Sequence, residues 1–170
     1  MSTLLCYIAS LVFLTAANAF AAYPDKPIRL VVGSAPGGAP DVLMRTLGAQ
    51  MSKQMGVPIV IENKPGASHM IATMEAVRSA PDGYTFVFVF DTHAVNPSLL
   101  PKMTFDTLKD LAPVMLIGTA PMALATAPGK PYKTFADFVA AAKAKPDTVS
   151  YGSIGSGSLG HLTMMLVQEA

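Results

Sequence analysis

The chain has 170 residues, with Lys plus Arg 12 against Asp plus Glu 11 and a formal net charge of +1. That balance, with no basic run and no acidic tail, argues against a surface that tracks a nucleic-acid backbone. The single cysteine, Cys6, lies in the apolar amino-terminal segment, so the rest of the chain holds no disulfide, cysteine nucleophile or thiolate metal site.

Residues Leu4 to Ala17 form an apolar run ahead of Ala17-Asn18-Ala19 and Ala19-Phe20-Ala21, small-x-small sites of the kind signal peptidase accepts. Ser10, Thr15 and Asn18 interrupt the run, which falls short of the roughly 20 apolar residues of a membrane span. Residues 1–22 therefore read as a leader cleaved before Tyr23, and the product as periplasmic. A membrane anchor is the competing reading, because Met1-Ser2-Thr3 lacks the positive charge expected of a leader.

Ile28-Arg29-Leu30-Val31-Val32 is a short β-branched run that stops at Gly33, as a buried parallel strand does. Met44, Leu47, Met51 and Met55 then recur at helical spacing until Gly56, and this Met stripe reads as core. Pro58 to Glu62 predicts a second strand, Ile71 to Ser79 a second helix, Pro81-Asp82-Gly83 a turn, and Tyr84 to Phe90 a third strand. Strand and helix alternate, which implies right-handed crossovers and a mainly parallel sheet in an α/β fold.

A Pro-containing connection at Asn96 to Asp106 marks the expected domain boundary. Beyond it, Val114 to Ile117, Met122 to Thr126 and Val149 to Gly152 read as strands. Thr134-Phe135-Ala136-Asp137 fits a capping pattern that opens a helix through Phe138, Val139 and Ala142, and Gly160 opens another. Met164 to Val167 are still in helical register at the last residue, which reads as a chain cut within an element.

Two Gly-rich loops, Gly33 to Asp41 and Ser153 to Gly160, each link a predicted strand to a predicted helix. There, unpaired N–H groups and the positive helix end converge on one point, which favours a bound anion; simple tight turns are the alternative. Gly155, Gly157 and Gly160 also match G-x-G-x-x-G, a weak signal here because the acidic residue expected about 20 positions on would lie beyond Ala170 and an exported protein rarely meets such a cofactor. No G-x-S-x-G or G-x-x-x-x-G-K-[ST] occurs, and His69, His93 and His161 are too scattered for metal-ligand spacing. Asp41 either complements the dipole of the first helix or meets a ligand.

Tyr23-Pro24-Asp25-Lys26-Pro27, Ala35-Pro36-Gly37-Gly38 with Asp41, Glu62-Asn63-Lys64-Pro65-Gly66-Ala67, Ala80-Pro81-Asp82-Gly83-Tyr84 and Thr92-His93-Ala94-Val95-Asn96-Pro97 occur in order. Lys109-Asp110-Leu111-Ala112-Pro113-Val114 and Tyr151-Gly152-Ser153 with Gly155, Gly157, Ser158 and His161 follow. In these motifs the chain after residue 22 resembles the receptors of tripartite tricarboxylate transporters, the Bug/TctC-like family.

The resemblance implies a periplasmic binding protein-like fold, a type II Venus flytrap with mainly parallel sheets. Residues 23–101 would form the first lobe and residues 102–170 the start of the second, an incomplete copy short of strands in both sheets. It further implies a non-enzymatic, monomeric receptor that holds a small carboxylate between its lobes for membrane transporter subunits, with no cofactor, metal or nucleic acid. Carried over, the ligand residues are Ala35, Pro36, Gly37, Gly38 and Asp41, with Ala67, Ser68, Thr92 and His93 completing that side. Ser153, Gly155, Ser156, Gly157, Ser158 and His161 lie on the other. Ser34 stands in place of an aromatic residue, Pro40 of a hydroxyl residue, and Ser68-His69-Met70 of a Gly-Gly-Asn-like stretch. The rival from a different class is an exported or anchored enzyme that binds a phosphate-bearing ligand at loop 153–160.

Overall fold

The computed structural model describes residues 23–169. The leader reading for residues 1–22 lies outside them. The chain divides between Val89 and Phe90 into two compact units.

The first unit is built on β1 (Ile28–Val32), where Ile28, Val31 and Val32 are buried with Met44 and Ala72. Each of these side chains larger than alanine contributes about 1.5–3 kcal/mol by leaving water. α1 (Ala39–Met55) follows, then β2 (Ile59–Asn63), a 3-10 turn at Ala67–His69, α2 (Met70–Val77) and β3 (Thr85–Phe88). Gly56 ends α1 in the left-handed conformation at φ 73°, its N–H returning to the Ser52 carbonyl. The sheet is parallel with strand order β2-β1-β3 and Leu30 opposite both Ile61 and Phe86.

α1 packs chiefly on β2, where Gly48 lets Ile59 and Ile61 approach, and α2 packs on β1 and β3. The chain moves from β1 to β2 on one side and then to β3 on the other, so right-handed crossovers place the two helices on opposite faces. In such a sheet the reversal of direction between β1 and β3 opens a crevice at the carboxyl ends of the strands, where the Gly33–Gly38 loop begins.

The second unit holds α3 (Asp91–Leu99), α4 (Phe135–Ala144) and α5 (Leu159–Glu169). α4 opens with the expected capping box: Thr134 Oγ1 accepts from the Asp137 N–H at 3.2 Å, and Asp137 Oδ2 accepts from the Thr134 N–H at 2.9 Å.

Three expectations are corrected. The segment from Asn96 was expected to be a connection, but Asp91–Leu99 is a helix that accommodates Pro97 near its end and gives up one backbone bond there. Val114–Ile117, Met122–Thr126 and Val149–Gly152 form no strand, because strand composition needs a paired neighbour and among the described residues the only sheet is β2-β1-β3. Of the Met stripe only Met44 is core; Met51 is exposed.

Candidate functional site

In the first unit, the loop after β1 is held by the buried carboxylate of Asp41, on the first turn of α1. Asp41 Oδ2 accepts from the Gly37 N–H at 2.8 Å and from Arg45 Nε at 3.0 Å. Asn63, at the end of β2, donates to Asp41 Oδ1 at 2.9 Å and to the Ser34 carbonyl at 3.1 Å, and accepts from Arg45 Nη2 at 2.9 Å. Arg45 above all, then the Gly37 N–H and Asn63, hold the Asp41 carboxyl down at about 2. Both oxygens are engaged inside the loop, so Asp41 acts here as the post around which Ala35, Pro36, Gly37 and Gly38 turn.

Gly37 has φ +80°, and a Cβ there would point into open space. Gly38 caps α1 without a side chain, and Pro40 removes one donor from its first turn. The first N–H groups of α1, at Ala39 and Asp41, have no partner within the helix by geometry, and they make this helix end an electropositive patch.

The turn after β2 reaches the same strand ends. Gly66, Ala67, Ser68 and His69 all have positive φ, at 120°, 47°, 50° and 69°. Three consecutive non-glycine residues in that region are strained, each by about 1–2 kcal/mol. His69 lies over Gly33 so closely that a Cβ on Gly33 would come within 2.7 Å of its Cβ and Cδ2. The fold therefore brings the turn that carries Ala67 and Ser68 against Gly33, where the loop that carries Ala35 to Gly38 begins, with His69 as the point of contact.

In the second unit, Thr92 and His93 sit in the first turn of α3, Thr92 buried and His93 half-buried. Burial pushes the His93 imidazole below its usual value. Buried Ser158 caps α5: its Oγ accepts from the His161 N–H at 3.3 Å and donates to the Gly155 carbonyl at 2.7 Å. The Gly157 N–H donates to His161 Nδ1 at 3.2 Å, which leaves Nε2 as the protonated nitrogen of the neutral ring. The Gly155 N–H bonds Ser153 Oγ at 3.4 Å, and Ser156 completes the loop.

Sequence reasoning did not find Asp91, whose Oδ2 accepts from the Leu159 N–H at 2.5 Å and so caps α5 from α3. It also missed Asn63 and Arg45 as partners of Asp41. The i, i+4 spacing of Asp41 and Arg45 carried that signal, but Asp91 and Leu159 are 68 positions apart and carried none.

A hollow of about 340 Å³ in the same unit is lined by Phe138, Val139, Met164 and Val167 of α4 and α5 together with Lys145, Asp147 and Tyr151 from the segment between them. None of the nominated residues lines it. Among the described residues no cluster of three metal-ligating side chains occurs, and no helix is long and apolar enough to cross a membrane.

Residues 43–170 match the family described as TctC, tripartite tricarboxylate transporter family receptor. Protein BugT of Bordetella pertussis is 35% identical over 148 residues, 86% of this chain and 45% of that protein. The solved R. palustris Rpa4515 with adipate superposes with a TM-score of 0.79 at 33% identity, over 86% of this chain and 49% of that one. MatC from Rhodopseudomonas palustris with bound malate gives 0.74 at 30% identity, over 86% and 50%. The chain thus spans about half the length of the relatives it matches, and its fold is that of the periplasmic binding proteins. By this match and by the order of its motifs, the chain belongs to the tripartite tricarboxylate transporter receptor family.

Proposed function

We propose that the chain is an extracytoplasmic solute receptor that binds a small carboxylate and presents it to membrane subunits of a tripartite tricarboxylate-type transporter, with no reaction of its own. Residues 1–22 act as its export leader, and the mature protein works as a monomer in the periplasm. One observation carries the reading: two solved proteins that share this span's fold hold adipate and malate.

The geometry is in keeping with it. The N–H groups of Ala39 and Asp41 at the end of α1, which no side chain caps, supply main-chain donors, and the open space beside Gly37 leaves room for a carboxylate along Ala35, Pro36, Gly37 and Gly38. Ser68 adds a hydroxyl on the neighbouring turn, and Ser156 and His161 Nε2 are donors in the second unit. Loops of this kind hold carboxylates as well through an ordered water as directly. The rival reading, a phosphate at loop 153–160, is disfavoured because Asp91 already lays a carboxylate on the end of α5.

The test is a thermal shift series on the purified protein. A melting temperature that climbs with the concentration of a small organic acid, as ligand linkage requires, supports the receptor. A shift with nucleotides and none with acids would replace it by the enzyme.

A further inference from the structure

Asp41 puts a negative charge on the very loop that the receptor reading gives to a carboxylate. The side chain is buried and ionised, sits in the first turn of α1, and accepts from the Gly37 N–H at 2.8 Å. There it offsets the positive end of the helix, and a second carboxylate brought to the loop meets a like charge. One side chain answers that charge. Arg45, four residues on along α1, bonds Asp41 Oδ2 through Nε at 3.0 Å and Asn63 Oδ1 through Nη2 at 2.9 Å. Among the described residues this is the only ion pair of Asp41; Asn63 is neutral, and Arg29 is committed to Glu62 at 2.8 Å and Glu75 at 3.0 Å. Every group in the arrangement belongs to the first unit.

We infer that Arg45 is the residue that lets this loop accept an anion: it neutralises Asp41 from the side away from the loop N–H, so that the end of α1 still attracts a carboxylate. The inference rests on the receptor reading above. Arg45 acts through Asp41 and is a positioning residue, not a ligand contact. The loop needs the Asp41 oxygens to hold its shape, since both are engaged by Gly37, Asn63 and Arg45, but the charge that comes with them opposes the ligand. A guanidinium, which keeps its proton at any pH the protein meets, removes that opposition without taking the oxygens away from the loop. The affinity for an acid should then follow the net charge of the Asp41–Arg45 pair rather than the number of bonds in the network.

The experiment is calorimetric titration of the full chain at neutral pH with acetate, succinate, malate and adipate, in the wild type, Arg45→Gln, Arg45→Lys, Asp41→Asn and the Asp41→Asn/Arg45→Gln double variant. For the acid that the wild type binds best, Arg45→Gln should weaken binding at least ~tenfold and Arg45→Lys should recover most of that loss. Asp41→Asn should tighten binding, because asparagine keeps an oxygen for the Gly37 N–H while the charge goes, and the double variant should fall between the two single ones. Urea midpoints identify the variants that fold, and the sign of the Asp41→Asn change decides the matter even if Arg45→Gln does not. Weaker binding in Asp41→Asn, in step with a lower urea midpoint, would mean that the network only shapes the loop; it would overturn the role of Arg45 and leave the receptor standing. No binding of any of these acids by the wild type or by Asp41→Asn would overturn the receptor reading, and this inference with it.

Discussion

Asn63 bonds Asp41: the amide at the end of β2 donates to the carboxylate on the first turn of α1 at 2.9 Å, while the same nitrogen holds the Ser34 carbonyl at 3.1 Å. One side chain thereby ties the end of a strand to both the start and the finish of the loop that turns around Gly37. Asn63→Ala should loosen the loop without touching the core, at about 1–3 kcal/mol for the bonds left unmade. Urea unfolding should show a lower midpoint with an unchanged slope.

Acid should act on the same network. Asp41 sits at about 2 in the folded chain against an ordinary 3.8, because Arg45, the Gly37 N–H and Asn63 favour its ionised form. Between those values the unfolded chain binds more protons, so this contribution is complete above 3.8 and is lost as pH falls through about 2. Asp41→Asn should flatten the fall of stability in that window, measured by urea midpoints at stepped pH. An equally steep fall in the variant would show that Asp41 does not carry it.

Gly33→Ala should be costly, since the new Cβ would come within 2.7 Å of His69. The cost expected for such overpacking is about 1–3 kcal/mol. His69→Gly removes the obstruction and also relieves the positive φ of 69°, so the double variant should recover most of the loss. A cycle with additive effects, below about 0.5 kcal/mol of coupling, would mean the two positions do not meet in solution.

The two glycines of the nominated loops should respond differently to a bulky side chain. Gly37→Val faces open space and meets only the strain of φ +80°, so the fold should persist while acid binding is lost. At Gly157 a Cβ would overlap Leu99 Cδ1, so Gly157→Val should disturb the contact between α3 and the α5 loop whatever the ligand does. Circular dichroism and binding measured on both variants separate the cases.

Much of the first unit was legible because its signals are local. Ile28 to Val32 is β-branched and ends at a glycine, and the helix that follows closes at Gly56 in the conformation glycine favours. Thr134 and Asp137 announced α4 by the reciprocal spacing of a capping box. The second unit resisted for physical reasons. Pro97 reads as a breaker, yet near the end of a nine-residue helix it forfeits one bond only. Val114 to Ile117 has the composition of a strand but no partner among the described residues, and pairing is a property no single segment contains. The loop motifs were visible as glycines and serines, whereas Asp91 meets Leu159 across a distance in sequence that no pattern spans.

Thr134→Ala should cost about 0.5–2 kcal/mol by freeing the Asp137 N–H, and helix content should drop at α4. An unaltered spectrum and midpoint would show that the capping box is not formed in solution.

The most direct test of the account is isothermal titration of the purified protein with a panel of small mono-, di- and aminocarboxylates, beside Gly37→Val. The account predicts saturable binding of at least one acid, one molecule per chain, and its loss in a Gly37→Val protein that remains folded. A wild-type chain that unfolds cooperatively yet takes up no carboxylate in the panel would contradict it.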